Sequence, residues 1–263
     1  MKILLFVFSL ILAFVLRLSV NDGNYMESIL GTGSVFGIWL IARYLPTSVN
    51  FFPEICALLL AISPWHILIS KYTDINFLLL FTTLGIYIFF RFLKKYVFLT
   101  GVVFLLVITL VISKDSFFGF SNTQVPIWLT DEQRREHGNF YNHPVVVLAH
   151  NKVANYSLSF LDHYTQHFQG DFLFISGDVR DGSIPHLGLM YFFDFIFITT
   201  ALILIIKNPK GWGIIFLWLS LAPLPSALDF QPPNALKAYL MIVPLTILSA
   251  FGASYIFKKT IKV

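Results

Sequence analysis

Long apolar runs separated by short polar interruptions constrain this chain more than any other feature. A bilayer core about 30 Å thick takes about 20 mostly apolar residues per helical crossing. On that rule eight candidate spans emerge: Ile3 to Val20, Ile29 to Leu45, Phe51 to Ile69, Phe77 to Leu93, Tyr96 to Ile112, Leu187 to Ile206, Trp212 to Leu228 and Leu236 to Phe257. Hydrophobic residues make up 57% of the 263 and charged residues 12%, about half the charge of an ordinary soluble domain. The chain reads as an all-α integral membrane protein of about eight transmembrane helices. Gly31, Gly33 and Gly37 in the second span predict close helix approach. Lys2 ahead of an apolar core resembles a signal peptide, but Arg17 interrupts the core and no small-x-small cleavage site follows, so the first span reads as a retained helix. Cys56 is the single cysteine, which excludes an intramolecular disulfide.

Threading eight spans with the N-terminus inside places Lys2, Arg43, Arg91, Lys94, Lys95, Lys207, Lys210, Lys258, Lys259 and Lys262 at cytoplasmic ends, where Glu54 is the sole acid. This predicts a multi-pass protein of the cell membrane with both termini cytoplasmic. The net charge of +4 then reflects membrane anchoring, and nucleic acid is not an expected partner because the cations are spread over five segments. Three parts follow: an N-terminal transmembrane region, 1–112; an external segment, 113–186; and a C-terminal transmembrane region, 187–263. In the external segment, Thr130 is a candidate N-cap with Gln133 three residues on and Gly138 as a stop. A β-branched run from Val145 to Val147 precedes a stretch with Leu158, Leu161 and Tyr164 on one helical face, so this part reads as an α/β-like subdomain with a helix at the membrane surface.

Charges at membrane depth are costly, so their positions localise function. Arg17, Asp22 and Glu27 surround the first external loop, and His66, Lys71 and Asp74 the second. Asp194 falls about two turns into the sixth span, and Asp229 and Lys237 flank a stretch containing Pro232, Pro233 and Asn234. A lipid-linked phosphate at the outer leaflet needs cations or helix N-termini at headgroup depth, and a helix opened by the two prolines, with Lys237, supplies both. A nearby carboxylate, Asp22, Glu27 or Asp74, then serves as general base on an acceptor hydroxyl. Plainer readings stand beside these. Arg17 and Lys237 are equally anchors snorkelling to the interface, Asp74 is equally the cap of a helix starting at Ile75, Trp65 fits an interfacial aromatic belt, and Asp194 is equally a structural partner of Arg17.

No cofactor is indicated. His163 and His167 have a spacing that two zinc ligands would share, but no third ligand stands in register, so a polar helix face is the default and no metal site is expected. Gly31 to Ser34 lacks the lysine of a phosphate loop. Asn155-Tyr156-Ser157 matches a glycosylation sequon.

Four stretches carry a resemblance. "LLLAISPWHILISKYTDIN", "FLDHYTQHFQGDFLFISGD" with "GLMYFFDF", "PLPSALDFQPPNALKAYLMIVPLTILSAFG" and "SILGTGSVFGIWLIARYL" occur in the order expected for bacterial GT-C glycosyltransferases of the protein-mannosyltransferase and aminoarabinose-transferase type. The resemblance implies inverting transfer of a sugar from a polyprenyl-phosphate donor to an acceptor of the cell envelope. It puts Lys71 and Lys237 where the family has Arg near the lipid phosphate, Asp74 where it has an acid and Asp194 where it often has Glu. Arg17, His66 and Asn234 are further candidates for binding the substrate or its lipid phosphate. The chain is abbreviated relative to that pattern: of the first external loop, which in the family carries the catalytic acids, only "NDGNYMES" remains, with Asp22 and Glu27 spaced differently. A catalytically reduced membrane subunit and a small transporter are the alternative functions.

Overall fold

The computed structural model describes residues 1–93, 96–121, 125–178, 188–229 and 231–261; Lys94, Lys95, Lys262 and the C-terminal part of the 113–186 segment lie outside these. Helices Lys2–Val20 (α1) and Tyr25–Ala42 (α2) form a hairpin. Asp22 and Gly23 reverse the chain there with φ of 49° and 83°, and the Asn24 side chain caps α2 by accepting the Met26 N–H.

The third apolar run is broken rather than continuous. Proline disfavours helical geometry in the residue before it and brings no N–H, so Phe52–Ile62 (α3) stops at Ser63, whose ψ is 124°, and Pro64–Ile69 (α4) restarts with Pro64 at its first position. Thr73–Phe92 (α5) and Val97–Ser121 (α6) follow.

Beyond α6 the chain forms Val125–Arg135 (α7), a 3₁₀ turn at Gly138–Phe140, Pro144–Ala149 (α8), Lys152–Gln166 (α9) and a π-helical turn at Asp171–Ile175. Among the described residues there is no strand, which corrects the α/β-like expectation for this segment. Pro144 starts a helix through the β-branched run, with His143 Nδ1 accepting the Val145 N–H. Thr130 is not a cap either: it lies inside α7, donating to the Pro126 carbonyl and accepting from Asn155 Nδ2. Phe192–Lys207 (α10), Gly213–Leu221 (α11), Leu224–Ala227 (α12), a 3₁₀ turn at Tyr239–Met241 and Ile242–Ile261 (α13) complete the fold.

Among the described residues five helices are long and apolar enough to cross a membrane: α1, α2, α5, the Val97–Lys114 part of α6, and Tyr239–Lys259. The other three expected crossings are shorter, α3 having 11 residues, α10 having 16 and α11 having 9. Pro64 divides the third run, and Pro223 and Pro225 divide the seventh. The long helices keep apolar side chains outward, including Leu4, Ile11 and Val15 on α1 and Val103, Val107 and Leu110 on α6. Contiguous outward apolar faces of this kind are what lipid contact requires, and a multi-pass membrane protein is compatible with them.

Two glycines mark close approaches between helices. A Cβ on Gly252 of α13 would overlap the Phe197 carbonyl of α10, and one on Gly37 of α2 would overlap the Thr83 side chain of α5. Helix α13 is the central element: nearly all of its first half is buried, joined in the core by Phe52, Trp65, Trp212, Trp218 and Tyr239.

Candidate functional site

Breaking a helix at proline orphans carbonyls, and the site begins from what satisfies them. The Leu60 carbonyl would accept from residue 64, which is proline, and takes the Ser63 N–H instead, at 3.4 Å. The Ala61 carbonyl would accept from Trp65, whose N–H instead donates to the Leu189 carbonyl at 3.2 Å. The Ile62 carbonyl would accept from His66, whose N–H turns to Ser63 Oγ. Buried carbonyls need donors. Arg17 supplies two, its Nη2 to Leu60 O at 3.3 Å and its Nη1 to Ala61 O at 3.2 Å, and the Tyr191 hydroxyl supplies the third, to Ile62 O at 2.8 Å.

Arg17 is fully buried and also bonds His66 Nδ1. Since a guanidinium only donates, His66 Nδ1 is the acceptor and Nε2 carries the proton, donating to Ser34 Oγ at 2.7 Å. Ser34 in turn donates to the Gly31 carbonyl. Arg17 and His66 are therefore internal fasteners between α1, α2 and the α3–α4 break. This corrects their assignment to a lipid phosphate and, for Arg17, the interfacial anchor. The bare backbone at Gly31 makes room for Arg17, whose Cδ would lie 2.8 Å from a Cβ there.

Trp65 is also fully buried, so it is not an interfacial belt residue. Its indole N–H donates to the Ala235 carbonyl at 3.0 Å, and its ring meets Phe172 edge-on at 6.0 Å. Asp178 Oδ2 accepts the Ala235 N–H at 2.7 Å. Segments near residues 65, 172, 178, 189 and 235 thus meet around one indole.

Above this hub lies a polar rim. Asn21 Nδ2 and Asn76 Nδ2 both donate to the Ser70 carbonyl, and Thr73 Oγ1 donates to Glu27 Oε1 at 3.0 Å. These bonds fasten the α1–α2 turn, which carries Asp22, to the α4–α5 turn, which carries Lys71 and Asp74. Asp22, Lys71 and Asp74 are exposed and make no side-chain hydrogen bond or ion pair among the described residues. Helix α5 begins at Thr73, so Asp74 lies inside its first turn without a capping bond, contrary to the capping alternative. Its charge still faces the positive end of the helix.

Lys237 is not brought to those acids: its Nζ pairs with Asp229 at 2.9 Å. No long helix opens at Pro233. Residues 232–238 form turns around a cis Pro232-Pro233 bond, and the expected free amides are taken, those of Leu236 and Lys237 by Asn234 Oδ1 and that of Ala235 by Asp178. Asp194 lies in the first turn of α10, shallower than expected. It accepts the Tyr191 N–H at 3.0 Å and the Ser249 hydroxyl at 2.5 Å, so it is a cap with no contact to Arg17.

His167 is buried: Nε2 meets Ser226 Oγ at 2.6 Å, and that oxygen accepts the Asn234 N–H. His163 Nδ1 lies 3.2 Å from the Ala227 carbonyl. The pair is a clasp on the 226–234 loop rather than a solvated face. Among the described residues no group of three or more His, Cys, Asp or Glu side chains is placed to hold a metal. Sequence reasoning missed Ser34, Tyr191 and Asp178; the one available signal was Pro64, which takes the helical donor from the carbonyl four residues earlier.

No family model, curated protein or solved structure matches this chain.

Proposed function

We propose that this protein is an abbreviated membrane glycosyltransferase of GT-C type that transfers a sugar from a polyprenyl-phosphate donor to a cell-envelope acceptor at the outer face of the cytoplasmic membrane. The observation that carries the reading is the convergence on Trp65 and His66. The pair lies in one of the four stretches that resemble that family, and the other three, far apart in sequence, each supply a direct partner: Ser34, Phe172 together with Leu189, and Ala235. In this reading eight crossings, some of them short, thread the bilayer with both termini cytoplasmic and the 113–186 segment outside. The rim of Asp22, Glu27, Lys71 and Asp74 then stands at the headgroup surface. Lys71 and Lys237 attract the donor phosphate, each as a point charge rather than a bidentate fork. A rim carboxylate takes the proton of the acceptor hydroxyl as the sugar bond to phosphate breaks, a role contributing roughly 10²–10⁴-fold in rate.

The test is transfer of radiolabelled sugar from a polyprenyl phosphate in membranes carrying the protein. Asp22→Asn, Glu27→Gln and Lys237→Ala are each expected to lower transfer, the base by about 100-fold or more, with expression unchanged. Full activity in all three removes the assignment. A second reading, a GT-C-like subunit without transferase activity, is favoured by the Lys237–Asp229 pair, which already neutralises the cation meant for phosphate. It predicts no transfer by the unmodified protein.

A further inference from the structure

At the end of the bundle away from Trp65, α1 begins, α2 ends and α3 begins around a cavity of about 550 Å³ lined by Lys2, Trp39, Arg43, Phe51 and Glu54 among others. Glu54 is only 7% exposed, and its Oε2 is buried without a hydrogen-bond partner. The Trp39 indole N–H on the same wall is likewise buried and unpartnered. Two cations stand over aromatic faces here: Lys2 Nζ is 5.4 Å from the Phe51 ring centroid, and the Arg43 guanidinium is 4.8 Å from that of Trp39. Neither forms an ion pair with Glu54 among the described residues. Phe51 holds a left-handed conformation, φ 64°, uncommon for so bulky a side chain. It also lines a second cavity of about 510 Å³ that runs between α1 and α13 past Leu5, Ile55 and Phe257.

We infer that the two adjoining cavities form one phospholipid site, selective for an ethanolamine headgroup, with an acyl chain in the second cavity. Lys2, Arg43 and the Trp39 N–H offer a phosphate two charges and a neutral donor. A buried carboxylate oxygen needs a cationic donor, because an unpaired charge out of water is costly. A ligand joining a phosphate to a primary ammonium meets both demands, and its acyl chain continues along the apolar walls past Phe51. Choline carries its charge without an N–H and leaves Oε2 unbonded; phosphatidylglycerol carries no cation. This inference does not depend on the sugar-transfer reading.

The protein is reconstituted into bilayers of equimolar phosphatidylethanolamine, phosphatidylcholine and phosphatidylglycerol, re-extracted in mild detergent, and its retained lipid quantified by mass spectrometry. The ethanolamine lipid is expected to exceed the choline lipid by about tenfold, the worth of one hydrogen bond to a charged group. Glu54→Gln is expected to return the ratio to that of the bilayer, and Arg43→Ala to lower all three lipids together. Retention in the bulk ratio by the unmodified protein, or an unchanged preference in Glu54→Gln, overturns the site. Should Glu54→Gln fail to fold, Lys2→Ala combined with Arg43→Ala carries the test, both residues being exposed: loss of retained phospholipid is expected, and undiminished retention rejects the proposal.

Discussion

Arg17→Met is expected to destabilise the protein by about 3–5 kcal/mol, read as a fall in the unfolding midpoint in detergent. Replacing a buried ion by an apolar side chain of similar length often costs nothing, provided its partners are replaced with it. Here they stay. The Ala61 carbonyl is orphaned by the diversion of the Trp65 N–H to Leu189, the Leu60 carbonyl loses its helical donor to Pro64 and keeps the Ser63 N–H at 3.4 Å, and His66 Nδ1 has Arg17 as its donor. Removing the guanidinium leaves two buried acceptors, the Ala61 carbonyl and His66 Nδ1, without partners, each worth about 1–3 kcal/mol, and leaves the Leu60 carbonyl with the Ser63 N–H at 3.4 Å. Arg17→Lys keeps the charge but not the fork that reaches two carbonyls at once, so it is expected to recover only part of the loss. A Met variant within about 1 kcal/mol of the parent would contradict this account of the break, since that is less than a single unmade bond costs.

Trp65→Ala is expected to cost about as much, roughly 3–5 kcal/mol, because it empties a large buried volume. The informative comparison is Trp65→Phe, which keeps most of the ring but loses the bond to the Ala235 carbonyl. That variant is expected to fold with a loss of about 1 kcal/mol and to speed amide exchange at Ala235, Leu236 and Lys237. If exchange in that loop is unchanged while the core loosens, Trp65 acts by volume alone and does not hold the 232–238 turns.

The helices themselves were legible. Expected spans and observed helices overlap over most of their length for α1, α2 and α5, because apolar length, and for α2 the Asn24 cap, act locally. The break at Pro64 was legible in principle, since proline acts on its own neighbours. Partners across the fold were not. A pair of Arg17 with Asp194 stood as one alternative because opposite charges at membrane depth attract, but Arg17 is taken by the carbonyls at the Pro64 break and Asp194 is engaged by Tyr191 and Ser249. Trp65 read as an interfacial anchor because a sequence does not reveal that Phe172 and Ala235 close over it. The 113–186 segment misled for a local reason: Val145 to Val147 favour a strand, yet Pro144 and His143 initiate a helix there.

The central claim is that the donor's phosphate seats at the end of the bundle where the Trp65 and His66 partners converge. A polyprenyl phosphate bearing a photoreactive group beside its phosphate, irradiated with the protein in membranes and mapped by peptide mass spectrometry, tests this directly. Label is expected within 63–76 and 231–241, competed away by unlabelled polyprenyl phosphate. Label confined to the opposite end, around Arg43 to Glu54 and Lys258, or spread evenly over the lipid-facing helices, would contradict it.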